Sequence, residues 1–285
     1  PGPPQPCASQ AAGMAPAAPA VEICEKPADR VAALVAQAAD RAIGAHGAFS
    51  IAIAGGSLVN MLGAMADMPS VDWSKWHVAW VDERCVAHSH SDSNFGAARA
   101  AWLSKVPIPA DQIYAISERL CEGSGESMAT KSAEEYEQRL RGIPEAALPR
   151  TAAGLPAFDL LLLGFGPDGH VCSLFPGHPL LGDESGRWVL PIWDSPKPPA
   201  ERITLSMPVV NAASEVALVG TGSGKAEVVK TALAGECDLP MVKALGAAPA
   251  LRPPVWVLDA AAGALLPEGL AAAARKRGAA RDAGD

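Results

Sequence analysis

The residues best suited to chemistry form one run, Gly164-Phe165-Gly166-Pro167-Asp168-Gly169-His170, directly after the apolar segment Phe158 to Leu163. An imidazole exchanges protons near neutral pH, and a carboxylate two positions away, Asp168, can orient or polarise it. A lone histidine is more often structural. Here the glycine and proline density at the end of a buried segment marks turns that a mere connection does not need, which favours a functional reading. Two further polar clusters follow apolar segments in the same way. Gly55-Gly56-Ser57, after Ser50 to Ala54, offers close backbone approach, a hydroxyl and the free N–H groups of a following helix. That is a phosphate cradle in outline, although the tripeptide alone suits a simple tight turn equally well. Asp82-Glu83-Arg84 ends the segment Trp76 to Val81 with three charges. A solvated loop is the commoner meaning of such a tripeptide, but Arg84 carries the rigid donor fork that suits an oxyanion or a phosphate.

Two cations lie downstream. Arg202 opens a predicted strand, and Lys225 closes Gly220-Thr221-Gly222-Ser223-Gly224-Lys225 ahead of Ala226. This run departs from a nucleotide P-loop, with Val219 where the first glycine belongs and Ala226 in place of the metal-binding hydroxyl residue. A lysine at a helix start is still sensible electrostatics for holding a phosphate. His88-Ser89-His90-Ser91-Asp92 lacks the second cluster a metal site needs, so it reads as exposed polar chain and no metal is expected. Cys172 lies two residues past His170, but residues so spaced need not meet, and cysteine is often just a small buried hydrophobe.

The chain has 23 Lys+Arg against 31 Asp+Glu, a formal charge of −8, and no basic cluster along a predicted face. Nucleic acid is therefore an unsuitable main partner, and an anionic substrate would have to be met by local cations. The cysteines at positions 7, 24, 85, 121, 172 and 237 form no C-x-x-C pair, which fits a reducing compartment without a disulfide framework. No apolar run approaches the ~18 residues of a membrane span. The tryptophans, Trp73, Trp76 and Trp80 among them, read as core packing.

The elements that must position these groups alternate. Asp29 to Ile43 spaces Val31, Leu34, Val35, Ala38, Ala39 and Ala42 as one helical face. Strand-like runs follow at Ser50 to Ala54, Trp76 to Val81, Gln112 to Ile116, Phe158 to Leu163, Arg202 to Ser206, Glu215 to Val219 and Val255 to Leu258. Helical spacing occupies Ser57 to Ala66, Asn94 to about Ser104, Glu126 to Arg141, Lys225 to Ala234 and an Ala-rich stretch after Glu268. This is the pattern of an α/β fold, a doubly wound, mostly parallel sheet with helices on both faces, and such sheets bind ligands at the carboxyl ends of their strands. The Pro/Ala-rich residues 1–20 read as a disordered tail, 21–275 as a single domain and 276–285 as a frayed end. The start at Pro1 leaves open a trimmed organellar presequence.

Taken together, Ala54-Gly55-Gly56-Ser57, Val81-Asp82-Glu83-Arg84 with Asp92-Ser93-Asn94, and Leu163-Gly164-Phe165-Gly166-Pro167-Asp168-Gly169-His170 continuing through Ser173-Leu174-Phe175-Pro176-Gly177-His178 resemble the 6-phosphogluconolactonase family. Arg202-Ile203-Thr204-Leu205 and Gly224-Lys225-Ala226 match it as well, and the resemblance spans about Pro27 to Asp259. The sugar-phosphate deaminases of the same wider fold are the nearest competitor. They typically continue the Asp-Gly-His segment with Ala-Phe-Asn-Glu and carry an aromatic after Asp-Glu, whereas this chain has Cys172-Ser173-Leu174-Phe175 and Arg84. Leu58-Val59 after Gly-Gly-Ser departs from the Thr-Pro common in lactonases.

The resemblance implies hydrolysis of 6-phospho-D-glucono-1,5-lactone to 6-phosphogluconate in the oxidative pentose phosphate pathway, with no cofactor and no metal. His170 is expected to act as general base, Asp168 or Asp82 to hold its imidazole, and Arg84 to stabilise the oxyanion or share the phosphate. Gly55, Gly56, Ser57, Arg202 and Lys225 are expected to hold the phosphate. The alternatives are a glucosamine-6-phosphate deaminase-like isomerase and a sugar-phosphate sensor without turnover. The expected location is intracellular, in the cytoplasm or alternatively the plastid stroma.

Overall fold

Leucine- and valine-rich runs without alternating polarity must be buried on both faces, which a helix-covered parallel sheet provides. The computed structural model describes residues 19–68, 71–234, 238–245 and 253–282. It sets six such runs side by side: β1 (Ala20–Ile23), β2 (Phe49–Ile53), β3 (Trp76–Trp80), β5 (Leu160–Gly164), β8 (Val216–Gly220) and β9 (Val255–Leu258). All pair in parallel, in the order β1-β9-β8-β5-β2-β3. The doubly wound α/β class read from the sequence is the fold.

Three more strands build a small antiparallel sheet in the order β4-β7-β6, from β4 (Asp82–Arg84), β6 (Val189–Ile192) and β7 (Arg202–Leu205). The Arg202 strand therefore leaves the main sheet, and Asp82-Glu83-Arg84 is a strand rather than a loop. Val81 joins the two sheets, donating its N–H to Ile53 O at 3.0 Å and accepting from Leu205 N at 2.8 Å. A side-chain period of 2 along β4 then sends Asp82 and Arg84 to one side and Glu83 to the other. β6, buried throughout, is too short and proline-interrupted to stand out in sequence.

The helices are α1 (Pro27–His46), α2 (Ser57–Met61), α3 (Asn94–Ala101), α4 (Gly125–Arg141), α5 (Met207–Asn211), α6 (Ala226–Leu233), α7 (Pro240–Lys243) and α8 (Glu268–Asp282). α1 buries the face its spacing predicts and packs on β2 and β9, and α4 covers the small sheet. The helix expected over Ser57 to Ala66 tightens into 3-10 geometry over Leu62–Asp67. Gln112 to Ile116 is not a strand. A 3-10 turn at Ala110–Gln112 leads into one bridge, Val78 to Ile113, too few residues to extend the sheet.

Residues 1–18 of the expected tail lie outside the described residues, but Ala20 already pairs with Val255 in β1. At the other end, α8 includes Lys276 and runs to Asp282, and residues 283–285 lie outside the described residues. α8 packs on β1, and Arg277 Nε donates to Val21 O at 2.8 Å. Gly278 lies so close to Ile23 that a Cβ there would meet its carbonyl. Under the sheet edge, Trp73, Trp76, Trp102 and Phe49 form an aromatic cluster, with Phe49 and Trp76 edge-to-face at 4.8 Å.

Candidate active site

Because β8, β5, β2 and β3 are adjacent and parallel, the loops leaving their carboxyl ends meet over one edge of the sheet. Those loops, with β4 and the β6–β7 connection, enclose a cleft of about 350 Å³. That is the low end of the size expected for a small-molecule site. His170, Asp82, Arg84, Gly55, Gly56, Ser57, Arg202 and Lys225 all line it, and Asp168 stands behind His170.

After β5 the chain folds back on itself, with Gly166 N donating to His170 O at 2.9 Å and Gly169 N to Gly166 O at 3.0 Å. This turn brings His170 Nδ1 to 2.6 Å from Asp168 Oδ1. The carboxylate can only accept, so Nδ1 carries the proton and Nε2 is left as the basic nitrogen. Only glycine suits position 166, since a Cβ would overlap both His170 Nδ1 and Asp168 Oδ1. Burial pushes the His170 pKa below its ordinary value, outweighing the upward pull of Asp168. Burial acts to raise Asp168, but the bonds from His170 and Lys197 win and hold it below the usual carboxylate range. The base is thus neutral and its partner ionised at neutral pH.

Asp82 does not hold the imidazole. Its Oδ2 accepts from Ser173 Oγ at 2.7 Å, while the imidazole Nδ1 is taken by Asp168. Glu83 turns away from the cleft. Its two oxygens accept from Arg84 N at 2.8 Å, Asn94 N at 2.8 Å and Phe95 N at 2.7 Å, fixing the start of α3, and burial raises its pKa to about 7. Asn94 in turn donates to Asp82 O at 2.9 Å and sits where a side chain on Gly55 would go. The Gly-Gly-Ser turn and the Asp-Glu-Arg strand are therefore locked together, with Gly56 at φ 72°, ψ −147°, a region reserved for glycine.

Arg84, Lys197, Arg202 and Lys225 face the cleft with Asp82 as the one lining carboxylate among the described residues, a positive pocket in a protein of −8. Arg84 Nη1 donates to Asp92 O at 2.8 Å, and its buried Nε has no partner among the described residues. Arg202 is more constrained. Nε bonds Pro199 O at 2.9 Å and Nη2 bonds Lys197 O at 2.8 Å and Pro198 O at 3.0 Å, so much of this side chain holds the 197–199 loop. Lys225 donates to Phe165 O, and burial lowers its pKa. The turn before it is fixed by Asp259, which accepts from Gly222 N at 3.0 Å. Cys172 also lines the cleft at φ 53°, but burial pushes its thiol well above the ordinary value, so no thiolate nucleophile is present.

A family profile described as "Glucosamine-6-phosphate isomerases/6-phosphogluconolactonase" matches residues 24–251. The chain belongs to this family. Among its members, "6-phosphogluconolactonase 3, chloroplastic" of Arabidopsis thaliana is 45% identical over 234 residues, covering 80% of this chain and 69% of that protein. "Probable 6-phosphogluconolactonase 4, chloroplastic" of Oryza sativa subsp. indica is 49% identical over 193 residues, 66% of this chain, which spans only 57% of that relative's length. The solved structure of 6-phosphogluconolactonase from Trypanosoma brucei superposes with a TM-score of 0.71 at 27% identity, covering 87% of this chain and 99% of its own. Sequence reasoning missed one lining cation, Lys197. Its signal was the proline-dense Ser195-Pro196-Lys197-Pro198-Pro199 run just ahead of Arg202, a loop too constrained to be a plain connector.

Proposed function

We propose that this chain hydrolyses 6-phospho-D-glucono-1,5-lactone to 6-phosphogluconate, with His170 as general base. The observation that carries the reading is the His170–Asp168 pair at 2.6 Å, its basic Nε2 left for a cleft whose other walls are cationic. The names of the relatives support the substrate. A lactone carbonyl and a phosphate dianion require a base at one end of the site and positive charge at the other.

In this mechanism His170 Nε2 takes a proton from water as the resulting hydroxide attacks C1. Asp168 stabilises the imidazolium that forms, and a cation of the cleft, Arg84 in our assignment, meets the oxyanion. The tetrahedral centre collapses with cleavage of the C1–O5 bond, and O5 takes the proton back from His170. The free acid then ionises, so one proton reaches solution per turnover. The Gly55–Ser57 turn, Arg202 and Lys225 hold the phosphate. No covalent enzyme intermediate is required.

The test is proton release from the freshly generated lactone, corrected for spontaneous hydrolysis, beside ammonia release from glucosamine 6-phosphate. The proposal expects acid from the first and no ammonia from the second. Ammonia release would overturn it in favour of a deaminase, and neither product would indicate a sensor. For location the cytoplasm and, alternatively, the plastid stroma are both carried forward: relatives named chloroplastic support the stroma, and relatives without that label support the cytoplasm. Fluorescent tagging of the full-length protein in plant cells decides between them.

A further inference from the structure

The β6–β7 connection delivers a group that the proposed chemistry does not yet use. Ser195 Oγ donates to Lys197 O at 2.8 Å, Ser195 N donates to Ala200 O at 3.2 Å, and Arg202 binds the carbonyls of Lys197, Pro198 and Pro199. A loop held this firmly fixes where the Lys197 side chain reaches. Lys197 Nζ stands 3.1 Å from Asp168 Oδ1 and 3.2 Å from His170 Nδ1. The proton on Nδ1 is already given to Asp168, and an ammonium has no acceptor to offer, so the bond Lys197 makes is to the carboxylate. Asp168 Oδ1 thus receives two donors at once, one from the ring and one from the ammonium.

From this geometry we infer that Lys197 is a positioning residue for the general base: it anchors Asp168 and keeps His170 in its neutral, proton-accepting form. The inference rests on the proposed role of His170. Two effects produce it. A carboxylate oxygen held by a second donor beside the ring resists rotating away, which fixes the ring orientation. A full positive charge 3.2 Å away opposes a second proton on the largely buried ring, and solvent at the half-exposed Lys197 screens part of this effect. The groups that act on or touch His170 are Asp168 on its own loop, Asp82 on β4, Lys197 on the β6–β7 connection and the ring of Phe175 at 4.6 Å. Among these, both carboxylates favour the imidazolium, and Lys197 is the one charge opposing it. Lys225 lies close enough to influence Lys197 and Asp168, and its charge acts in the same sense as that of Lys197.

The experiment compares wild type, Lys197→Met and Lys197→Arg in two readouts. The first is the NMR titration of the His170 ring in substrate-free protein, which needs no activity. The second is the pH profile of kcat/KM for the lactone. In Lys197→Met the ring is expected to protonate at higher pH, and the acid limb of kcat/KM to move with it. Relative to wild type, activity then falls by about tenfold at pH 6 and by less than about threefold at pH 8. Lys197→Arg restores both. A Lys197→Met protein whose ring titrates as in wild type overturns the inference, whatever its activity. So does a uniform rise in KM with an unmoved acid limb, the mark of a residue that only binds phosphate. A moved ring titration in a protein with no lactonase activity would instead leave the Lys197 contact standing and count against the proposed reaction.

Discussion

Gly166→Ala is a one-carbon perturbation aimed at the base without touching its atoms. Gly166 does not have a positive φ, so the backbone accepts alanine, and the whole effect comes from where the new methyl goes. That position lies well inside contact distance of both His170 Nδ1 and Asp168 Oδ1. An ordinary contact begins near 3.4 Å, so the ring must retreat by about 1 Å, and the 2.6 Å bond to Asp168 is lost or re-aimed. A misplacement of about 1 Å in a reacting group can cost about 10²-fold in rate. The expected result is a kcat lower by about 10²-fold, a KM within about threefold of wild type because Arg84, Arg202 and Lys225 are not among the groups the methyl meets, and an unchanged circular dichroism melt. Proton release from the lactone, with the spontaneous rate subtracted, measures the first two. A folded Gly166→Ala protein that turns over at the wild-type rate would show that the Asp168-held ring is not the working base.

Lys225→Ala should raise KM by about tenfold with little change in kcat, because it removes one cation of the phosphate end and no reacting group. Steady-state kinetics decide, and an unchanged KM takes Lys225 out of the site. Glu83 makes a pH prediction with a definite sign. Burial raises its pKa from 4.5 to about 7, so the stability linked to its protonation is fully present below pH 4.5 and is lost as pH rises through about 7. The difference amounts to about 3 kcal/mol. Urea unfolding at pH 5 and pH 8 should show that slope in wild type and not in Glu83→Gln. The amide should also cost about 1–3 kcal/mol at pH 8, since its NH2 must face at least one of the backbone N–H groups that the carboxylate accepts. Equal pH slopes in the two proteins would contradict this account.

Much of the site was legible because its residues follow strands. His170, Gly55 and Arg84 each stand just after an apolar run, and parallel strands in a doubly wound sheet place such positions on one edge without any knowledge of their order. The Asp168–His170 pair was readable for a local reason, a turn of i to i+2 closed by glycines. What sequence could not supply was long-range. Asp82 was a candidate for holding the imidazole, but its partner, Ser173, is 91 residues away and nothing local announces the bond. The small sheet was misread for a similar reason. β4 has three residues and β6 is interrupted by proline, so their pairing with β7 shows only in three dimensions. Arg202 was expected at the phosphate and lines the cleft, yet its bonds to three backbone carbonyls, and through them the placement of Lys197, depend on loop geometry that composition does not encode.

The central claim is that one imidazole activates water. Its most direct test is the lactonase rate of His170→Asn against wild type at pH 7.5, with spontaneous hydrolysis subtracted and folding checked by thermal melt. The account predicts a fall in kcat of about 10²–10⁴-fold in a protein that melts as wild type. A folded His170→Asn enzyme retaining near-normal turnover would contradict it.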